Sequence, residues 1–331
     1  MMQIDHPPSF AGTYFFVRLR QIEKQMTLSE EIKAKALALG FDACGICRAT
    51  DSGEEKRYMQ WLRDHCQGTM GYLERNIDKR LDPRLLVEGA RSIVSVALNY
   101  YPPVRLPGKV PQFAYYAYGK DYHEVIREKL AHLLDWIRER HPSVTGRSFT
   151  DSAPVLERFW AAQAGLGFIG KNTLLIIPGK GSYFFLGELI IDMELDYDAP
   201  VSENCGDCTR CLRSCPTNAI EKPYRLNASK CISYQTIENK GEISPDILPN
   251  LRNNVYGCDI CQKVCPWNRD ATAHNTPEFL PTDDFLSLDL EQLLEMNEDR
   301  WRHIFRHSAV KRAKFTGLKR NAEAISKSRN K

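Results

Sequence analysis

Residues 205–216 read CGDCTRCLRSCP, and their spacing decides the architecture: Cys205-x2-Cys208-x2-Cys211-x3-Cys215-Pro216. In this pattern three closely spaced thiolates grip one iron–sulfur cubane and the fourth reaches a second cluster. A shorter run follows at Cys258-x2-Cys261-x3-Cys265-Pro266, one cysteine short, with Cys231 upstream as the replacement. An insertion therefore splits the second half. Crossed ligation assigns Cys205, Cys208, Cys211 and Cys265 to one [4Fe-4S] cluster, and Cys215, Cys231, Cys258 and Cys261 to the other. Tetrahedral zinc is the alternative use of CxxC pairs. Eight thiolates, with proline after the last cysteine of each run, favour clusters.

Upstream, the pattern changes. Thr27-x-x-Glu30 ahead of Ile32, Ala36 and Leu39 is a capping box opening a helix. Residues 91–100 (RSIVSVALNY) and 183–191 (YFFLGELII) are β-rich apolar runs, whereas Val125, Leu130, Leu133 and Ile137 recur at helical spacing between Tyr122 and Arg140. The fold class is therefore mixed α+β or α/β, followed by a two-[4Fe-4S] ferredoxin-like module. The expected boundaries are an N-terminal extension at 1–26, an α/β domain at 27–198, the cluster module at 199–270 and a helical, basic tail at 271–331. Met26 is an alternative start.

In a chain of 331 residues with eleven cysteines and no export signal, the cysteines point to metal or catalysis rather than disulfides, and to the cytosol. No apolar run approaches the ~20 residues of a membrane span. From Arg300 to Lys331 there are eleven Lys or Arg against one acid, Glu323, so a total of +3 leaves about −7 on the rest. This asymmetry points to a polyanion, with nucleic acid the usual one. Trp301, Ile304, Phe305, Ala309, Ala313, Leu318 and Ile325 form a stripe that packs onto the body, which leaves Lys311, Arg312, Lys314, Lys319 and Arg320 facing outward.

Three motifs carry less than they promise. Gly165-x-Gly167-x-x-Gly170 follows a helix-like segment and precedes a strand-like one, the reverse of a dinucleotide site, so these glycines end a helix and make a turn. Asp121-Tyr122-His123 begins a DxHxxG cobalamin-ligand signature, but Ile126 stands where glycine is required, so His123 reads as an ordinary residue near a helix start that Asp121 caps. Asp151 before Pro154 reads first as a helix cap. A carboxyl there is also an acid if burial raises its pKa enough to keep the proton. Cys44, Cys47 and Cys66 read as buried small hydrophobes.

From Met26 onward the order of segments resembles the epoxyqueuosine reductases. The matching stretches include KRLDPRLLVEGARSIVSVALNYYP (79–102), YAYGKDYH (116–123), DSAPVLERFWAAQAGLGFIGKNTLLI (151–176), KCISYQTIE (230–238) and YGCDICQKVCPWN (256–268). The resemblance implies a cobalamin-dependent enzyme, related in architecture to reductive dehalogenases. Such an enzyme binds its corrinoid base-off and reduces the epoxide of epoxyqueuosine in a tRNA anticodon stem-loop, with electrons from an external low-potential donor. The family's catalytic proton donor falls on Asp151, and Arg80 and Ser233 match positions that touch the corrinoid. The five basic tail residues are the expected tRNA contacts, and a monomer is expected. A reductive dehalogenase and a plain ferredoxin-type carrier are the competing readings. An idle α/β domain argues against the carrier, and the missing twin-arginine signal argues against the dehalogenase.

Overall fold

The computed structural model describes residues 26–329, so the N-terminal extension lies outside the described residues. Its centre is a four-stranded sheet formed by β1 (Ala43–Arg48), β2 (Ser92–Asn99), β3 (Gly146–Phe149) and β4 (Phe184–Ile191), in the order β1-β2-β4-β3. Every pairing is antiparallel, with Ala43 opposite Ala97, Ser95 opposite Glu188 and Gly146 opposite Ile191. Both predicted apolar runs are central strands. Each lies between two layers of helix, which is why they read as continuous apolar runs rather than alternating ones.

On one face, α1 (Leu28–Ala38) and α2 (Tyr122–Arg140) bury Ile32, Ala36, Ile126, Leu130, Leu133 and Ile137 against Val94, Val96, Leu98 and Leu189. The capping box of α1 is present in both directions: Glu30 N donates to Thr27 Oγ1 (3.3 Å) and Thr27 N to Glu30 Oε2 (2.8 Å). The Asp121 side chain caps α2 by accepting from His123 N (3.1 Å). On the other face, α3 (Glu157–Gln163) sets Trp160 and Ala161 against Ile93, Ala97, Leu186 and Ile190. After α3, Gly165 takes φ +76° and the chain turns into a short hairpin of Phe168–Ile169 with Leu175–Ile176. The three glycines thus serve the turn.

Asp151 does not cap α3. That helix begins six residues later with Leu156 in the cap position and no side-chain cap bond. Asp151 itself sits at φ +49°, in a bend that turns its carboxyl away from the helix end. Cys44 and Cys47 lie on opposite faces of β1, packed in different cores, and burial pushes both thiols up to about 12. They are no redox pair. Cys66 is likewise buried.

Strand β1 approaches the end of α3 so closely that a Cβ on Gly45 would lie 2.0 Å from the Ala164 carbonyl oxygen. Gly45→Ala is therefore expected to cost about 3 kcal/mol, the upper end of overpacking losses, read as a lowered urea midpoint at unchanged m-value.

A separate core joins residues 106–118 to the tail. Phe113, Tyr115, Tyr118, Tyr183, Val255 and Tyr256 pack against Phe285, Phe305, Val310, Leu318, Ala322 and Ile325. The tail stripe of α4 (Lys314–Arg329) is thus buried as its periodicity predicts. Asn321, fully buried, locks α4 down by donating to Thr236 O (2.8 Å) and Val255 O (2.9 Å). Among the described residues no helix is long and apolar enough to cross a membrane.

Candidate active site and cluster centres

The two cysteine runs fold as similar loops, each wrapped round one short helix, Arg210–Ser214 and Ile260–Lys263, and these helices pack together. Cys205, Cys208, Cys211 and Cys265 line one cavity with Lys171, Asn172 and Trp267. Cys215, Cys258 and Cys261 lie within electrostatic reach of Cys231, at the start of the helix Ile232–Ile237. The first quartet thus takes Cys265 from the second run, while Cys258 and Cys261 lie near Cys215 of the first run and Cys231 of the insertion. Lys171 N donates to Cys205 Sγ (3.4 Å) and Ala219 N to Cys215 Sγ (3.2 Å). Bonds of this kind help set cluster potentials.

Asp151 stands at the centre of a second constellation. Tyr122 Oη donates to its Oδ2 (2.5 Å), and His123 Nε2 lies 3.5 Å from the same oxygen. The other ring nitrogen of His123 is 2.6 Å from Asp121 Oδ1, and Asp121 Oδ2 is 2.7 Å from Lys311 Nζ. A line of alternating charge, Lys311–Asp121–His123–Asp151, therefore runs from the tail to the acid. Tyr122 is fixed by stacking on Phe185 at 4.2 Å and 7°. Residues one and two past the N-cap of α2 both turn toward the Asp151 loop, which places the pair.

The Asp151 side chain is 61% exposed, so its carboxyl faces solvent. Tyr72 and Arg312 lie across from it within electrostatic reach. Burial alone would raise its pKa, but the bonds from His123 and Tyr122 hold it below the ordinary carboxylate range. This corrects the expectation that burial keeps its proton. Burial would lower His123, but Asp121 and Asp151 on either side push it up to about 9. At neutral pH the proton of the pair therefore resides on the imidazole. Behind Asp151, Glu157 accepts from its backbone N, and burial together with the charge of Asp151 raises Glu157 to about 8. Glu188, fully buried on the same side of the sheet, is also raised, by burial and by Glu157. Of these three carboxyls, only Asp151 is negatively charged at neutral pH.

Both nitrogens of His123 are engaged, which leaves none for a metal and agrees with the broken DxHxxG match. Arg80, in the helix Ile77–Leu81, is 8% exposed and its Nε has no hydrogen-bond partner. Its guanidinium lies 5.9 Å over the Tyr58 ring. A buried, unpartnered donor of this kind fits a polar group of a bound ligand. Ser233 is half-buried, two residues after Cys231.

Comparison with known proteins settles the family. Residues 204–268 match the 4Fe-4S double cluster binding domain, and residues 80–152 match the family model of epoxyqueuosine reductase QueG, DUF1730. An epoxyqueuosine reductase from Cellulophaga algicola is 48% identical over 298 residues, covering 90% of this chain and 97% of the relative. The chain belongs to the epoxyqueuosine reductase family. A crystal structure of an epoxyqueuosine reductase with an epoxyqueuosine-modified tRNA-Tyr stem loop superposes with a TM-score of 0.83 at 34% identity, covering 90% of this chain and 80% of that one. The epoxyqueuosine reductase from Bacillus subtilis, solved with its aspartate-bearing catalytic loop swung out of the active site, gives 0.82 at 33% identity with the same coverage.

In this chain, of the five basic tail residues expected to face outward, Lys311, Arg312 and Lys314 are exposed and Lys319 and Arg320 half-buried. Lys311 is bound to Asp121, and Arg312 pairs with Glu238 through two 2.8 Å bonds. Arg320 turns inward, donating to Asn239 O (2.7 Å), Gln235 O (2.8 Å) and Gly241 O. The helical stripe fixes which side of α4 is apolar but not where long side chains find acceptors. Lys314 is exposed and Lys319 lies 5.8 Å from the Phe315 ring; neither has an ion-pair partner among the described residues.

Tyr122, His123 and Glu157 are the functional residues that sequence reasoning missed. The available signal was the YAYGKDYH match, in which His123 was read as an ordinary residue.

Proposed function

We propose that this protein reduces epoxyqueuosine in the anticodon loop of tRNA to queuosine, with cobalamin and two [4Fe-4S] clusters. The observation that carries the reading is Asp151, solvent-facing, bonded to Tyr122 and beside His123. Cys205, Cys208, Cys211 and Cys265 would hold one cluster, and Cys215, Cys231, Cys258 and Cys261 the other. Arg80 and Ser233 would hold the corrinoid. Bound cobalamin supplies a strong nucleophile for an epoxide carbon, and the clusters supply its electrons at the low potential this needs.

The chain's own residues handle protons and position. Converting an epoxide to an alkene consumes two electrons and two protons and releases one water. Asp151 passes a proton to the opening oxygen, drawing it from His123, while Tyr122 holds the carboxyl in place. Asp121 and Lys311 keep the imidazole oriented. The modified nucleotide must leave the stack to reach Asp151, so the stem-loop is gripped by its backbone. Of the five, Lys314 and Lys319 are free for phosphate. We place the protein in the cytoplasm, acting as a monomer.

The test is anaerobic single turnover on tRNA carrying epoxyqueuosine, with mass spectrometry following loss of one oxygen. A protein that binds cobalamin and leaves the epoxide intact overturns the reading. Arg80→Met, which keeps bulk and removes the donor, is expected to weaken cobalamin about tenfold or more, the worth of one charge-assisted hydrogen bond. Equilibrium dialysis of the apoprotein checks it.

A further inference from the structure

Beside the cavity of the first cysteine quartet lies a second, open cavity of about 480 Å³, lined by Arg210, Ser214, Lys263, Cys265, Asn268 and Arg269 among others, and no acid. Arg210, Cys265 and Pro266 line both cavities, so one wall separates the first cluster's site from solvent. Arg210, Lys263 and Arg269 are exposed, and none makes an ion pair among the described residues. Lys263 is held by the Tyr115 ring, its Nζ 4.6 Å from the centroid. Asp207 and Asp270 are exposed and outside the lining, and Asp259, four residues before Lys263 and within its electrostatic reach, is buried and accepts from Tyr115 N. Three cations without an ion-pair partner among the described residues thus share one open cavity with Cys265. This patch lies outside α4, where the phosphate contacts were expected.

We propose that this patch is where a small acidic one-electron carrier protein docks to deliver electrons to the cluster held by Cys205, Cys208, Cys211 and Cys265. The inference rests on the two-cluster reading above. Complementary charge is how transient electron-transfer partners find each other, since their interfaces are small and the gain lies in encounter rate. Each encounter oxidises the carrier by one electron and reduces the cluster by one, and two encounters supply one epoxide reduction. The wall shared by Cys265 gives the electron a short path.

The experiment uses the holoprotein, anaerobically, with reduced plant-type [2Fe-2S] ferredoxin as the probe and bleaching of the cluster absorbance as the readout. In wild type the second-order rate should fall steeply with added salt. In Lys263→Glu/Arg269→Glu it should fall about tenfold or more at low salt and lose most of its salt dependence, in line with steering effects of 10–10³. Bleaching by dithionite, a small reductant, should be unchanged. Equal ferredoxin rates in wild type and variant, or a wild-type rate indifferent to salt, overturn the proposal. So does weaker tRNA binding with unaltered ferredoxin kinetics, which would make the patch a phosphate site. If the variant loses its clusters, the wild-type salt dependence and the single variant Arg269→Gln decide. A wild type that takes up no clusters would sink the two-cluster reading instead.

Discussion

Asp151→Ala is expected to lower the single-turnover rate on epoxyqueuosine tRNA by about 10²–10⁴-fold, the range that a positioned general acid contributes, with iron content and cobalamin binding unchanged. The side chain is solvent-facing and caps no helix, so its removal leaves the core intact. The pH profile is the sharper test, because the proton belongs to the pair. His123 is raised to about 9, so the His123–Asp151 pair keeps one proton through neutral pH and loses it as pH rises through that value. The rate should therefore be flat near neutrality and fall above about pH 9. In His123→Asn that alkaline limb should move to lower pH, because the neutral amide cannot store the proton. An unshifted limb would mean that His123 only positions Asp151.

The extent to which this was legible in the sequence follows the range of the interactions. Cysteine spacing is local and chemically constrained, so both quartets could be paired before any fold was known. The capping box at Thr27, the two central strands and α2 are also local patterns, and each appears where the periodicity places it. The acid site was only half visible. Asp151 came from resemblance, while its partners Tyr122 and His123 sit 28 and more residues earlier on another element, and no periodicity reports a contact between a helix start and a loop. The sign of the Asp151 shift was unreadable for the same reason, since it depends on neighbours and not on burial alone. Arg320 shows a further limit: helical phase places a side chain on a face, but three carbonyls from residues 235–241 decide where its guanidinium goes.

Crossed ligation yields the second large effect, and one double mutant separates it from ligation run by run. If Cys265 shares a cluster with Cys205, then Cys205→Ala/Cys265→Ala strikes one cluster twice. Iron should then fall from about eight to about four per chain, the content of one [4Fe-4S] centre, and the remaining cluster should keep its own paramagnetic resonance signal. Ligation run by run places those two cysteines in different clusters, so the same mutant would damage both and approach zero iron. The geometry favours the first outcome, because Cys205 and Cys265 line one cavity while Cys215 lies within electrostatic reach of Cys231. Turnover should vanish in either case, so iron content and not activity is the informative measurement. The tail supplies an independent check. Asn321 binds Thr236 and Val255, both close in sequence to the ligands Cys231 and Cys258. Losing the cluster of Cys215, Cys231, Cys258 and Cys261, by Cys231→Ala/Cys258→Ala, should therefore loosen α4 and speed its amide exchange. Cys205→Ala/Cys265→Ala should leave that exchange slow.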